Sequence, residues 1–130
     1  MKMAFHEGNN KFTKSVYHAV QGIIETVKIE RNIKIHMIIT VLVIIAGFLF
    51  KINLVEWLSI VICIGLVIGM ELLNTSIEHT VDLACQKEYH QLAKKAKDAS
   101  AGAVLVVATM SVVIGMIIFI PKIWKLIFIN

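Results

Sequence analysis

The sequence predicts an all-α membrane protein: an N-terminal amphipathic helix on the bilayer surface, followed by three transmembrane helices. Three observations carry that expectation. Hydrophobic residues make up 58% of the 130 residues and there is one proline, a composition too apolar for an ordinary soluble domain. Three long apolar runs are separated by short polar segments, and a bilayer crossing needs about 20 such residues. The basic residues gather beside these runs and not inside them, as the flanks of membrane spans do. A chain of this length allows one domain, so residues 1–130 are read as a single unit.

Residues 1–10 are polar and read as a loose lead-in. From Lys11 to Ile29 the pattern is helical, with Phe12, Val16, Val20, Ile23, Ile24 and Val27 on one side and Lys14, His18, Gln21 and Glu25 opposite. This stretch is too polar to span a bilayer and suits the interface. Glu30 follows, flanked by Lys28 and Arg31. On an unbroken helix it points the same way as Phe12, toward the apolar side. Either a chemical need or a local ion pair with Arg31 or Lys34 accounts for a carboxylate there.

The first span is 33–50, with no charge between Met37 and Phe50. Lys34 and His36 can snorkel to the headgroups. Lys51 and Asn53 form a short turn. The second span is 54–73, with Trp57 near its outer end, where an indole favours the interface. Gly65 and Gly69 make a G-x-x-x-G that lets another helix approach closely. No Gly or Pro occurs from Met70 to Ala101, so the second helix is expected to run on to about Gln86. A turn near Glu88 to Gln91 and a helix beginning before Lys94 complete a helical hairpin over 74–100. The third span is 101–120, closed by Pro121, with Trp124 at the interface.

The basic residues also orient the chain. Lys2, Lys11, Lys14, Lys28, Arg31 and Lys34 precede the first span, and Lys87, Lys94, Lys95 and Lys97 follow the second. The turn after the first span has only Lys51, and the tail has Lys122 and Lys125. This bias places the N-terminus and the 74–100 hairpin in the cytoplasm and the C-terminus outside, in a multi-pass protein of the cell membrane. Beside membrane spans, such clusters suit anionic lipid or a phosphorylated substrate and not nucleic acid. Cys63 lies inside an apolar run and Cys85 outside it, so no disulfide is expected. The first thirty residues lack a short apolar core with a small-residue cleavage site, so no removable signal is expected.

The chemistry concentrates in E-L-L-N-T-S-I-E-H-T-V-D, residues 71–82. At about 100° per residue, Glu71, Asn74, Glu78 and Asp82 share one narrow stripe. The stripe starts among Met70, Leu72 and Leu73 and runs out into water. An ionisable group at membrane depth is a functional-site hypothesis by default; for Asp82, a solvated helix face is the plainer alternative. Folding the helices back brings Lys97 and Asp98 toward this stripe, with Glu30 arriving from the surface helix. Asp98 as a helix cap and Lys97 as a snorkelling flank are the plain alternatives. Carboxylates with an amide are hard oxygen ligands suited to Mg²⁺, and a lysine supplies a point charge for phosphate. A carboxylate in a low-dielectric site becomes more basic, which suits a general base. These are the parts for metal-assisted phosphoryl transfer from ATP to a lipid hydroxyl. No G-x-x-x-x-G-K-[ST] or other Gly-rich nucleotide loop is present, and His36, His79 and His90 form no spaced metal motif.

The stretch E71-x-L73-N74-T75-S76-I77-E78-x-x-V81-D82 resembles the signature of the prokaryotic integral-membrane diacylglycerol kinases. That family includes the undecaprenol kinases of Gram-positive bacteria. A96-K97-D98 and E88-Y89-H90 match as well, and the resemblance covers nearly the whole chain. It implies a homotrimer with active sites between neighbouring subunits, ATP as co-substrate and Mg²⁺ as cofactor. It implies that Glu71 is the catalytic base and that Asn74 positions the reacting groups. Glu30 and Glu78 would bind the metal ions that hold ATP. Lys97 would contact phosphate and Asp98 the nucleotide or substrate. Lys11 stands near where some members have arginine and joins this ATP-contacting group. Asp82 belongs to the motif without an assigned role. Ser76 stands where many members have alanine.

The segment E30-R31-N32-I33-K34-I35-H36 looks more like the Gram-positive branch. Undecaprenol is therefore the first choice of acceptor and diacylglycerol the second. The spans offer only scattered hydroxyls such as Thr40, Ser59 and Thr109, which fits an acceptor without ester oxygens. A non-enzymatic pore or transport subunit is the rival class, because intramembrane carboxylates also serve ion pathways. Against it, the polar stripe lies at one membrane edge and the middles of all three spans carry no charge.

Overall fold

A computed structural model describes residues 3–128, with side chains from residue 11 onward. Lys2, counted above in the basic N-terminal cluster, lies outside the described residues. Four helices follow one another: α1 (Met3–Ile29), α2 (Arg31–Leu49), α3 (Leu54–Ala84) and α4 (Gln91–Phe128). No strand occurs among the described residues. The helices α2, α3 and α4 are each long and apolar enough to cross a membrane.

Length explains how the helices divide between lipid and water. At 1.5 Å per residue, the 19 residues of α2 just match a hydrocarbon core of about 30 Å. The 31 residues of α3 and 38 of α4 overshoot it. The two are joined through Cys85 to His90, so their facing ends make a helical hairpin. α3 packs mainly on α4 and less extensively on α2.

Both connecting turns use left-handed residues that are not glycine. Lys51 has φ 49°, and Gln86 and Lys87 have φ 51° and 64°. In each turn an amide reaches back five residues: Ile52 N–H to the Gly47 carbonyl at 3.1 Å, and Lys87 N–H to the Asp82 carbonyl at 3.0 Å. These bonds satisfy carbonyls that the helix ends leave orphaned.

The Lys51 turn is tightly fastened. Asn53 caps α3 in a capping box: its side chain accepts from Glu56 N–H at 3.0 Å, and Glu56 accepts from Asn53 N–H at 2.8 Å. The other Glu56 oxygen takes Lys122 of α4 at 2.9 Å. Ile52, Ile60 and Ile118 form a buried cluster beside this turn. Phe48 packs on Trp57 with ring centroids 4.9 Å apart, and Phe50 on Phe119 at 6.0 Å. Gly47 is required here, because a Cβ would sit 2.7 Å from Trp57 Cη2.

Several expectations change. α1 begins at Met3, so 3–10 is helical and not loose; extending a helix is cheap once it is nucleated. The helical run breaks at Glu30, whose φ of −83° and ψ of 126° are extended, so Glu30 is not on a continuous face with Phe12. α4 runs through Pro121 to Phe128 and does not end there. The proline removes one bond to the carbonyl four residues back, and neighbouring groups at membrane level can offset such a loss. The Lys122–Glu56 pair and the Trp124–Phe128 ring contact at 4.3 Å hold the continuing turns. Among the described residues, no other helix lies within 4 Å of a Cβ built on Gly65 or Gly69. Both cysteines are free, as expected.

Candidate active site at the open end of the α3–α4 pair

The site is built where α3 and α4 leave the apolar layer. Glu71 is only 3% exposed, and Asn74 and Thr75 are also buried. No described residue forms a hydrogen bond or ion pair with the Glu71 carboxylate. Neither oxygen is sealed off without a partner: the residue is largely covered, but its carboxylate keeps an opening through which a ligand can reach it.

One turn further along, Asn74 Nδ2 donates to Glu78 Oε1 at 2.8 Å. The carbonyl oxygen of the same amide accepts from Ser100 Oγ of α4 at 2.6 Å. Glu71, Asn74 and Glu78 thus stand in sequence along α3, and the last two are linked to α4 through Ser100. Ser100 escaped the sequence reading. Its only signal is its spacing of three from Lys97, which puts both on one face of α4.

Beyond Glu78, Lys97 Nζ donates to Asp82 Oδ1 at 2.8 Å. This hydrogen bond holds the Asp82 carboxyl below its ordinary range and raises the Lys97 ammonium. The structure therefore gives Asp82 a partner: it anchors Lys97 across the hairpin. Asp98 does not cap a helix. It lies within α4, paired with Lys94 one turn earlier. Asp82, Tyr89, His90, Lys94, Lys97 and Asp98 line an open cleft of about 550 Å³.

Glu30 lies at the α1–α2 break, and its side chain makes no capping bond. The anticipated ion pair with Arg31 or Lys34 is absent among the described residues; Lys34 Nζ instead donates to the Lys28 carbonyl at 2.7 Å. Lys11 is exposed on α1, where its carbonyl accepts from Ser15 Oγ at 3.0 Å.

The donors fit a hard dication. Glu78 presents a carboxylate whose Oε1 is already oriented by an amide, and Glu30 presents one with no partner among the described residues. Among the described residues no three His, Cys, Asp or Glu side chains converge as a ready metal cage. Mg²⁺ does not need one, since it is commonly held by one or two carboxylates together with substrate phosphates.

A family model described as prokaryotic diacylglycerol kinase matches residues 17–119. The chain belongs to this family. The matched segment contains Glu30, Glu71, Asn74, Glu78, Lys97 and Asp98, while Lys11 lies outside it. An undecaprenol kinase of Bacillus subtilis is 51% identical over 113 residues, covering 87% of this chain and 91% of its own. A diacylglycerol kinase of Synechocystis is 37% identical over 86% of this chain and 64% of its own. One of Helicobacter pylori is 31% identical over 77% of each. Membership makes this a multi-pass membrane lipid kinase and sets aside the pore or transport-subunit reading.

Proposed function

We propose that this protein transfers the γ-phosphoryl group of ATP to the hydroxyl of undecaprenol. The observation that carries the acceptor is the 51% identity to an undecaprenol kinase across most of both chains. The site's position supports the chemistry. Glu71 sits at the membrane edge, where the hydroxyl of a lipid alcohol lies while its tail remains in the bilayer. An apolar cavity of about 210 Å³ between α2, α3 and α4, lined by Ile39, Val43, Ile64, Val67 and Val112, offers a bed for a branched hydrocarbon chain.

In this reading Glu71 takes the hydroxyl proton as the lipid oxygen attacks the γ-phosphorus. The bond to the β–γ bridging oxygen breaks, ADP departs, and Glu71 later returns its proton to water. Glu30 and Glu78 hold Mg²⁺, which when bound neutralises charge on the phosphates. Asn74 keeps Glu78 in place. Lys97 and Lys11 meet phosphate, and Asp98 meets the nucleotide in the cleft over the hairpin. ATP then arrives from the cytoplasm, with the N-terminus and the 74–100 hairpin on that side and α1 lying on the membrane surface. The family resemblance implies that such sites are completed between neighbouring subunits of a homotrimer.

The test is a radiolabelled-ATP assay with undecaprenol and diacylglycerol at equal mole fraction in mixed micelles. Labelled undecaprenyl phosphate should dominate. A clear preference for diacylglycerol would overturn the acceptor, and no labelled lipid from a wider panel of alcohols would overturn the kinase reading.

A further inference from the structure

We propose that Ser100 is a positioning residue for phosphoryl transfer: its hydroxyl, reaching across from α4, fixes which way the Asn74 amide faces and so aims the Glu78 carboxylate. The inference rests on the reading of Glu78 as a metal-holding residue and adds a residue to that machinery.

The argument starts from the inventory of donors and acceptors. An amide has one donating and one accepting end of nearly the same shape, so its neighbours decide its orientation. An ionised Glu78 only accepts, so Asn74 Nδ2 must face it, as it does at 2.8 Å. The Asn74 carbonyl oxygen is then turned toward α4 in a buried position and needs a donor. Ser100 Oγ supplies it at 2.6 Å, and Ser100 is itself only 8% exposed.

Ser100 has a competing use for its proton. The Lys97 carbonyl lies 3.0 Å from Oγ, and a helical serine commonly returns its hydroxyl to the preceding turn. One hydroxyl carries one proton, and the shorter contact is the one to Asn74. That bond spans 26 residues of sequence and joins the two helices that bear the site. It ties the Asn74–Glu78 pair on α3 to α4, where the Lys97–Asp82 pair stands one turn away. Removing the hydroxyl leaves the amide free to turn, and its oxygen would then repel Glu78.

The experiment uses the full chain in detergent micelles with [¹⁵N]asparagine label, comparing wild type, Ser100→Ala, Ser100→Thr and Asn74→Ala. Alanine is well tolerated in a helix. Ser100→Ala should shift the Asn74 side-chain amide resonances, identified by their loss in Asn74→Ala. It should raise the Mg²⁺ concentration needed for half-maximal ATP binding about three- to tenfold, the size expected for one hydrogen bond. The lipid KM should stay unchanged while kcat falls. Ser100→Thr, which keeps the hydroxyl, should restore both signals if its melting curve is native. If the added methyl lowers the melting curve, the double variant decides: Ser100→Ala should add nothing to the Mg²⁺ requirement of Asn74→Ala. Unmoved Asn74 resonances, or additive losses in the double variant, would overturn the proposal. Glu78→Gln is the control for the underlying reading. If it leaves the Mg²⁺ response unchanged, the metal assignment fails. If it raises the requirement and Ser100→Ala does not, only the Ser100 proposal fails.

Discussion

The two ends of α3 use the same chemistry for opposite purposes. At the Lys51 turn, Glu56 is fully engaged: one oxygen takes the Asn53 amide and the other takes Lys122. Trp57 lies over Gly47, and Phe50 meets Phe119. Fifteen residues on, Glu71 is largely covered with no described partner, and Glu78 is held by a neutral amide, with the Lys97 charge near it. One carboxylate of the helix is tied up by its neighbours, while the other has no described donor and none of its oxygens is sealed away. The closed end holds the helices in register, and the open end keeps charge for a ligand.

That contrast can be broken experimentally. The largest effect should come from Glu71→Gln, which keeps size and removes the base. Turnover should fall about 10²–10⁴-fold in a protein whose melting curve is unchanged. A variant keeping more than about a tenth of the wild-type rate would mean that Glu71 is not the base. Next in size are Glu30→Gln and Glu78→Gln, each of which should weaken Mg²⁺-dependent ATP binding. Their losses should be non-additive if they share one metal–nucleotide unit; additive losses in a double-mutant cycle would separate them.

At the closed end the signs reverse. Gly47→Ala forces the Trp57 ring to shift and should destabilise the protein by about 1–3 kcal/mol, read as a lower melting temperature with unchanged turnover per folded molecule. The smallest effect is at the Asp82–Lys97 pair, whose side chains are 39% and 36% exposed. Asp82 is depressed in the folded state, so its contribution is present above pH 3.8 and is lost as pH falls through the lower folded value. Lys97 is raised, so its contribution is present below pH 10.5 and is lost as pH rises through the higher folded value. Asp82→Asn should flatten both limbs of a melting-temperature profile, the one below pH 3.8 and the one above pH 10.5; limbs as steep as the wild type's would show that the pair does not bear on stability.

How much of this was legible depends on range. The stripe from Glu71 to Asp82 was readable because helical periodicity is local and nothing between Met70 and Asp82 breaks it. The hairpin was readable for the same reason, and α3 ends at Ala84 within two residues of the expected Gln86. Ser100 was not, because a lone serine gains meaning only from the register of α4 against α3, 26 residues away. The Asp82–Lys97 pair was hidden likewise by the turn between them. At Glu30 the chain breaks without Gly or Pro, so no punctuation marks the break. At Pro121 the punctuation was present but outweighed, since the helix beyond is held by Lys122 and by stacked rings.

The most direct test sets two carboxylates of one helix side by side. Glu71→Gln and Glu56→Gln should be purified in parallel, and phosphoryl transfer to undecaprenol and melting temperature measured on each. The expected result is a crossed one: Glu71→Gln loses turnover and keeps its melting temperature, while Glu56→Gln keeps turnover per folded molecule and melts lower. Equal losses of turnover in both, or a Glu71→Gln protein that phosphorylates undecaprenol at the wild-type rate, would contradict the division of labour between the two ends.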